Sequence, residues 1–266
     1  MSTYERYGVR LGFGHDRIMW SVQAIIVFTT AVFAAQLALD IPFGGFGGAP
    51  GGWLTDWVAF STGTAFPFVW TLVTYMFLHG SLMHLFINML QLYFFGPEVE
   101  RALGTRQFFY FYLLCGAGGV LFNFVSPLAI QAMGAMGLAQ TPPLFGTSVI
   151  GASGATMGVL CAFAMLNPQQ KIFLFPIPIP ITARWLVIFF IFTNIMTGLQ
   201  PGSSVSVATH LGGIAVGAAF MKFRPEIGKW RWRRKSSKPR APSTKDMEKL
   251  GEEIDNILRF QDKGRH

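Results

Sequence analysis

Ser153 stands between glycines in Gly151-Ala152-Ser153-Gly154, inside an apolar stretch, Leu144 to Leu166, that carries no charge. A second apolar segment opens with His210. An ionisable side chain in hydrocarbon is expensive and by default marks a site. A serine hydroxyl beside an imidazole is a nucleophile with its general base. Together the two residues point to peptide-bond hydrolysis inside a membrane. Singly, each has a plainer meaning: Ser and Gly pack membrane helices closely, and a lone His can hydrogen-bond across them. His84 and Asn88 add a further pair of polar groups, one helical turn apart on one face. His79 and His84 are five apart, which is not the i,i+4 spacing of a helical zinc pair, and no Cys or carboxylate joins them. No metal or cofactor is expected.

The elements that position these groups follow from composition. The chain has 266 residues, 52% of them hydrophobic and only 13% charged. A soluble domain carries about a quarter charged residues. The apolar residues gather into six runs, 18–39, 81–95, 107–125, 149–166, 183–199 and 205–223. A spanning helix needs about 20 residues, and a bilayer requires every backbone group to be satisfied internally. The expected fold is therefore an all-α membrane protein, a bundle of six transmembrane helices with a large outer loop after the first. The 21 Lys and Arg residues fall at the N-terminus, between spans two and three, around the junction of spans four and five, and from the end of span six onward. Loops 40–80, 126–148 and 200–204 hold none. The positive-inside rule then places both termini in the cytoplasm and those three loops outside.

Orientation converts to depth. Spans two, four and six enter from outside, which puts His84, Ser153 and His210 about four to six residues in, roughly 6–9 Å below the outer boundary. Gly151, Gly154 and Gly158 thin one side of span four, and Gly213 and Gly217 share a face of span six with His210. Small residues let membrane helices approach closely, so Ser153 and His210 can meet. Spans four and six contain no Asp or Glu. The expected machinery is a dyad, its histidine oriented by packing rather than by a carboxylate.

Outside the spans, residues 1–17 form a short cytoplasmic segment, 18–223 the membrane domain and 224–266 a basic tail. The net charge of +8 does not indicate nucleic acid, because 14 basic residues follow Phe220. The cluster Lys229-Trp230-Arg231-Trp232-Arg233-Arg234-Lys235 suits anionic lipid headgroups. Leu250, Ile254, Ile257 and Leu258 share one face of a possible short helix. Loop 40–80 is glycine-rich and then aromatic (Trp53, Trp57, Trp70), which suits short helices in the outer leaflet. Cys115 and Cys161 lie within spans and are expected to pack rather than pair.

Three motifs in order, on spans two, four and six, carry a resemblance: His84 with Asn88, the Gly151–Gly154 tetrapeptide, and His210 with Gly213 and Gly217. With His79-Gly80-Ser81 and Glu100-Arg101-Ala102-Leu103-Gly104, the stretch from Pro67 to Lys222 resembles the rhomboid intramembrane serine proteases, of the bacterial six-span type. The resemblance implies that Ser153 is the nucleophile and His210 the base and later acid. It implies an oxyanion or substrate site from His84, Asn88, Gly151 and the Ser153 N–H. It also implies a bracing role for His79, a structural pair of Glu100 and Arg101, and substrates that are transmembrane proteins; a compact six-span chain without a transit-like leader is expected in the inner cell membrane. Two positions depart from the family. Thr71 follows Trp70 where an arginine is usual, and Met157 replaces an aromatic residue one turn after the serine. A catalytically silent adaptor of the same family is the alternative, although such a protein is expected to lack the serine or the histidine. A transporter would need ionisable residues across the midplane, and the spans hold almost none.

Overall fold

The computed structural model describes residues 19–45, 52–63, 68–135, 148–173, 180–198 and 207–224. Residues 1–18, the basic tail after Arg224 with its possible helix, and the loop segments 46–51, 64–67, 136–147, 174–179 and 199–206 lie outside the described residues. Eight α-helices are described: α1 Trp20–Asp40, α2 Trp53–Val58, α3 Thr71–Thr74, α4 Leu82–Leu103, α5 Thr105–Ala135, α6 Ser153–Leu166, α7 Ala183–Gly198 and α8 Val207–Lys222, with 3-10 turns at Ile41–Phe43 and Tyr75–Phe77. Two short antiparallel ladders, not anticipated from the sequence, join them. β1 (Phe60–Ser61) pairs with β2 (Ser148–Val149), and β3 (Lys171–Phe173) pairs with β4 (Pro180–Thr182).

Helix α6 is the axis of the bundle and is buried along nearly its whole length. Helix α8 lies against α6, and α5 against α8, through glycines. A Cβ on Gly213 would overlap the Gly154 carbonyl oxygen, and one on Gly217 would lie 2.8 Å from the Gly158 carbonyl oxygen. Gly119 of α5 meets the Thr209 carbonyl of α8 at 2.8 Å in the same sense. These are backbone-to-backbone contacts, and any side chain would force the helices apart.

Helix ends are tied by polar side chains, because the first N–H groups of a helix have no partner within it. The buried Glu100 carboxylate accepts from the N–H groups of Ser21 (3.1 Å) and Val22 (3.0 Å), fixing the start of α1 against the last turn of α4. Arg101 pairs with Glu98 instead, so the expected Glu100–Arg101 pair acts as two separate contacts. At the other end, Asp40 accepts from Leu54 N–H at 2.7 Å and caps α2. Ser81 accepts from His84 N–H at 3.1 Å and starts α4 just after a 99° bend from the segment Thr71–Phe77.

All six described basic residues, Arg101, Arg106, Lys171, Arg184, Lys222 and Arg224, fall where α4, α6 and α8 finish and α1, α5 and α7 begin. Hydrogen bonds from Ser21 to Thr105, Arg224 to Gln107 and Ala183 to Gln170 hold that end together. Large apolar side chains face outward on α1 (Val27, Phe28), α4 (Phe86, Ile87) and α7 (Phe189, Phe192). By length and composition, Trp20–Phe43 and Thr105–Val125 can cross a bilayer, and the bent pair Thr71–Phe77 with Leu82–Leu103 would make a third. The apolar helices Ser153–Leu166, Ala183–Thr197 and Val207–Lys222 are shorter than a standard span.

Candidate active site

The site occupies the end of the bundle opposite the basic residues, where α4, α6 and α8 begin side by side. The sequence suggested that span four starts at 149, with Ser153 several residues inside. In the structure Ser148–Val149 is strand and α6 begins at Ser153 itself. The cause is Gly151, whose φ of +118° breaks the helix before the serine. That conformation suits glycine alone. The ring of His84 adds a second constraint, since a Cβ on Gly151 would come 2.6 Å from its Cε1. Gly151 therefore does not thin the helix. It turns the chain so that Ser153 occupies the first helical position, where its N–H has no acceptor within the helix and forms part of the positive end of the helix dipole.

Ser153 Oγ lies 2.6 Å from His210 Nε2. The two residues come from α6 and α8, and the Gly154–Gly213 contact one turn below sets their separation. On its other side His210 Nδ1 lies 2.7 Å from the Oδ1 of Asn194 on α7. The histidine is thus held by an amide hydrogen bond and not by packing alone, a correction to the sequence expectation. Nothing local flags Asn194 in the sequence. Its only signal is an amide side chain in an otherwise apolar segment.

The remaining groups ring the serine. Gly80 N–H donates to His84 Nδ1 (3.4 Å), which leaves the His84 Nε2 as the protonated nitrogen. Asn88 is buried, donates to the His84 carbonyl at 2.8 Å and accepts from Thr156 Oγ at 3.2 Å. One Nδ2 hydrogen of Asn88 stays available for a substrate. His79 Nε2 accepts from Ala152 N–H at 3.4 Å, and Gln36 Oε1 accepts from the His79 N–H at 3.0 Å. Gln36 in turn donates to Thr55, which donates to Asp40. His79 therefore braces the approach to the serine as well as the loop. Tyr75, also unmarked in the sequence, holds the same approach: its carbonyl accepts from Gly151 N–H at 3.0 Å and its hydroxyl donates to Gly116 O at 2.9 Å.

The departures at 70–71 and 157 find local answers. Trp70 Nε1–H donates to the Trp57 carbonyl at 2.9 Å, and Thr71 Oγ to the Phe68 carbonyl at 2.7 Å, so the loop is braced without an arginine. Met157 packs with Leu186 of α7 and Ile214 of α8, its sulfur 3.9 Å from Gln91 Nε2.

A family model described as the rhomboid domain matches residues 67–224, more than half of the chain, and includes Ser153, His210, His84, Asn88 and Gly151. The chain belongs to the rhomboid family. Among curated proteins it is similar to RHOMBOID-like protein 12, mitochondrial, of Arabidopsis thaliana: 34% identity over 166 residues, covering 61% of this chain and 48% of that one. It is 33% identical over 144 residues to Rhomboid protein 1, mitochondrial, of Saccharomyces cerevisiae, covering 54% and 38%. It is also 32% identical over 186 residues to RHOMBOID-like protein 1 of Arabidopsis thaliana, covering 68% and 42%. The chain spans less than half the length of these rhomboid relatives. They are eukaryotic, two of them mitochondrial by name, so the family stands but a bacterial subtype does not follow from them. With family membership and its apolar helices, the chain is a mostly helical membrane protein of rhomboid type.

Proposed function

We propose that this chain is an intramembrane serine endopeptidase that hydrolyses peptide bonds in or near transmembrane segments of other membrane proteins. The observation that carries this reading is the 2.6 Å approach of Ser153 Oγ to His210 Nε2 at the start of α6. That distance lies within hydrogen-bond reach of a nucleophile and its base. Ser153 Oγ adds to the scissile carbonyl carbon as its proton passes to His210 Nε2. The resulting oxyanion meets the Ser153 N–H, the His84 Nε2–H and the free Nδ2–H of Asn88, with Gly151 shaping the pocket. One such donor is worth about 2.7–4 kcal/mol. His210 then gives its proton to the leaving amine, and water entering from the outer side hydrolyses the acyl-enzyme.

Helix α6 has 14 residues. At 1.5 Å per residue that is roughly 21 Å, against a hydrocarbon core of about 30 Å. Its shortness supports a serine recessed below the outer surface, within a six-span bundle whose loop helices α2 and α3 rest in the outer leaflet. The gathering of basic residues at the other end supports cytoplasmic termini in a cell membrane. It also supports a basic tail that binds anionic lipids. A substrate helix approaches laterally past α7 and unwinds at its outer end. Gly and Pro, which cost about 1 and 3 kcal/mol in a helix, ease that unwinding.

The test is cleavage of a reconstituted transmembrane substrate, with fluorophosphonate labelling alongside. Wild type cuts and is labelled, and Ser153→Ala does neither. A wild type inert toward varied substrates and toward the label sinks the protease reading and leaves the non-cutting adaptor.

A further inference from the structure

Two ends of the His210 ring are occupied, and the second end is the less expected. Its Nδ1 faces Asn194 Oδ1 at 2.7 Å. Asn194 is only 7% exposed, and its Nδ2 donates to the Phe190 carbonyl of its own helix at 2.8 Å. That second bond decides the amide's orientation. Turned over, the amide would set Oδ1 against the Phe190 carbonyl oxygen, two acceptors facing each other. So Oδ1 points at the histidine, and an oxygen that can only accept requires a hydrogen on Nδ1. The Nε2 lone pair is then left facing Ser153 Oγ. The other tautomer would place an Nδ1 lone pair against Oδ1 and an N–H on the serine hydroxyl, and that nitrogen could not take the serine's proton.

We infer that Asn194 is a positioning residue, which fixes His210 in the tautomer competent to act as base and makes that competence depend on α7 being seated. The inference rests on the protease reading for its catalytic meaning, but the tautomer itself is a property of the fold. It also divides labour between helices. Ser153 and His210 belong to α6 and α8, whose spacing is set by glycine backbone contacts. The acceptor belongs to α7, whose far face carries the exposed side chains Trp185, Ile188, Phe189 and Phe192. Moving α7 away removes the acceptor while leaving serine and histidine at their distance.

The experiment is ¹⁵N spectroscopy of histidine-labelled full chain in liposomes, with the His210 resonances assigned from His210→Gln, run beside steady-state cleavage. Wild type should show Nδ1 protonated and Nε2 bare. Asn194→Leu should shift His210 toward the Nε2–H form and lower kcat by about 10- to 100-fold, with KM within about twofold. Asn194→Asp keeps an acceptor of the same shape and should keep the Nδ1–H form. An unchanged tautomer in Asn194→Leu overturns the proposal whatever the rate. If that variant fails to fold, an Nε2–H form in Asn194→Asp overturns it. Should wild type cleave nothing, the spectra still decide the tautomer, so failure of this inference and failure of the protease reading are separate results.

Discussion

Helices α7 and α8 both touch the candidate base, yet they are held in opposite ways. Helix α8 meets α6 at two glycine pairs, Gly213 on Gly154 and Gly217 on Gly158, backbone against backbone, and meets α5 where Gly119 approaches the Thr209 carbonyl. Helix α7 meets the bundle through side chains, Leu186 packing with Met157, Leu160 and Ile214, and through the amide of Asn194. The first contact fixes a distance. The second fixes an orientation, and side chains with rotamers are easier to displace than backbone. For the proposed protease, the comparison separates what must stay rigid, the reach from Ser153 to His210, from what can give way.

The sharpest way to break this contrast is to crowd the seam. Gly213→Val puts a branched side chain into the Gly154 carbonyl. Overpacking typically costs about 1–3 kcal/mol and more where backbone must move. The expected result is a stability loss at or above the top of that range, with cleavage abolished. Denaturant titration in mixed micelles reads the first and the reconstituted assay the second. A stable, active Gly213→Val would show that the seam is as yielding as α7. A smaller effect belongs to the opposite face of α6, where Thr156 donates to Asn88. A neutral hydrogen bond is worth about 1 kcal/mol, so Thr156→Val should lower kcat roughly fivefold while KM holds. Loss confined to KM would mean that Asn88 positions substrate rather than the developing oxyanion. The smallest effect is expected on the outer face of α7. Phe189 is exposed, and Phe189→Ala should change stability by no more than about 0.5 kcal/mol. A loss of several kcal/mol would show that α7 is anchored as firmly as α8.

The parts of this design legible in the sequence are those written with a local period. Gly154 and Gly158 on one helix, Gly213 and Gly217 on the other, repeat every four residues and declare a face. His84 and Asn88 do the same. The charge distribution declared which helices begin at the same end, and the structure brings Ser153, His210, His84 and Asn88 to that end. What stayed hidden depends on distant partners. Helix α6 begins later than its apolar run because Val149 pairs with Phe60, far back in the chain, and because Gly151 turns the backbone. Glu100 reads as one half of a neighbouring pair but caps a helix that begins some eighty residues earlier. Asn194, Tyr75 and Gln36 carry no period at all. An amide in an apolar segment was the one available signal, since polar groups there are costly and ordinarily paired.

The glycine seam has a consequence for how such a chain can diversify. A contact made of backbone offers selection nothing to adjust, because every substitution there adds atoms where none fit. The serine and histidine are thereby insulated from sequence drift. If the chain is the protease proposed above, change in what it accepts has to accumulate elsewhere, on the exposed faces of α4 and α7 and in the loop that Asp40 and Trp70 pin down. New preferences can be tried on those surfaces one residue at a time, with the reacting atoms left where they are.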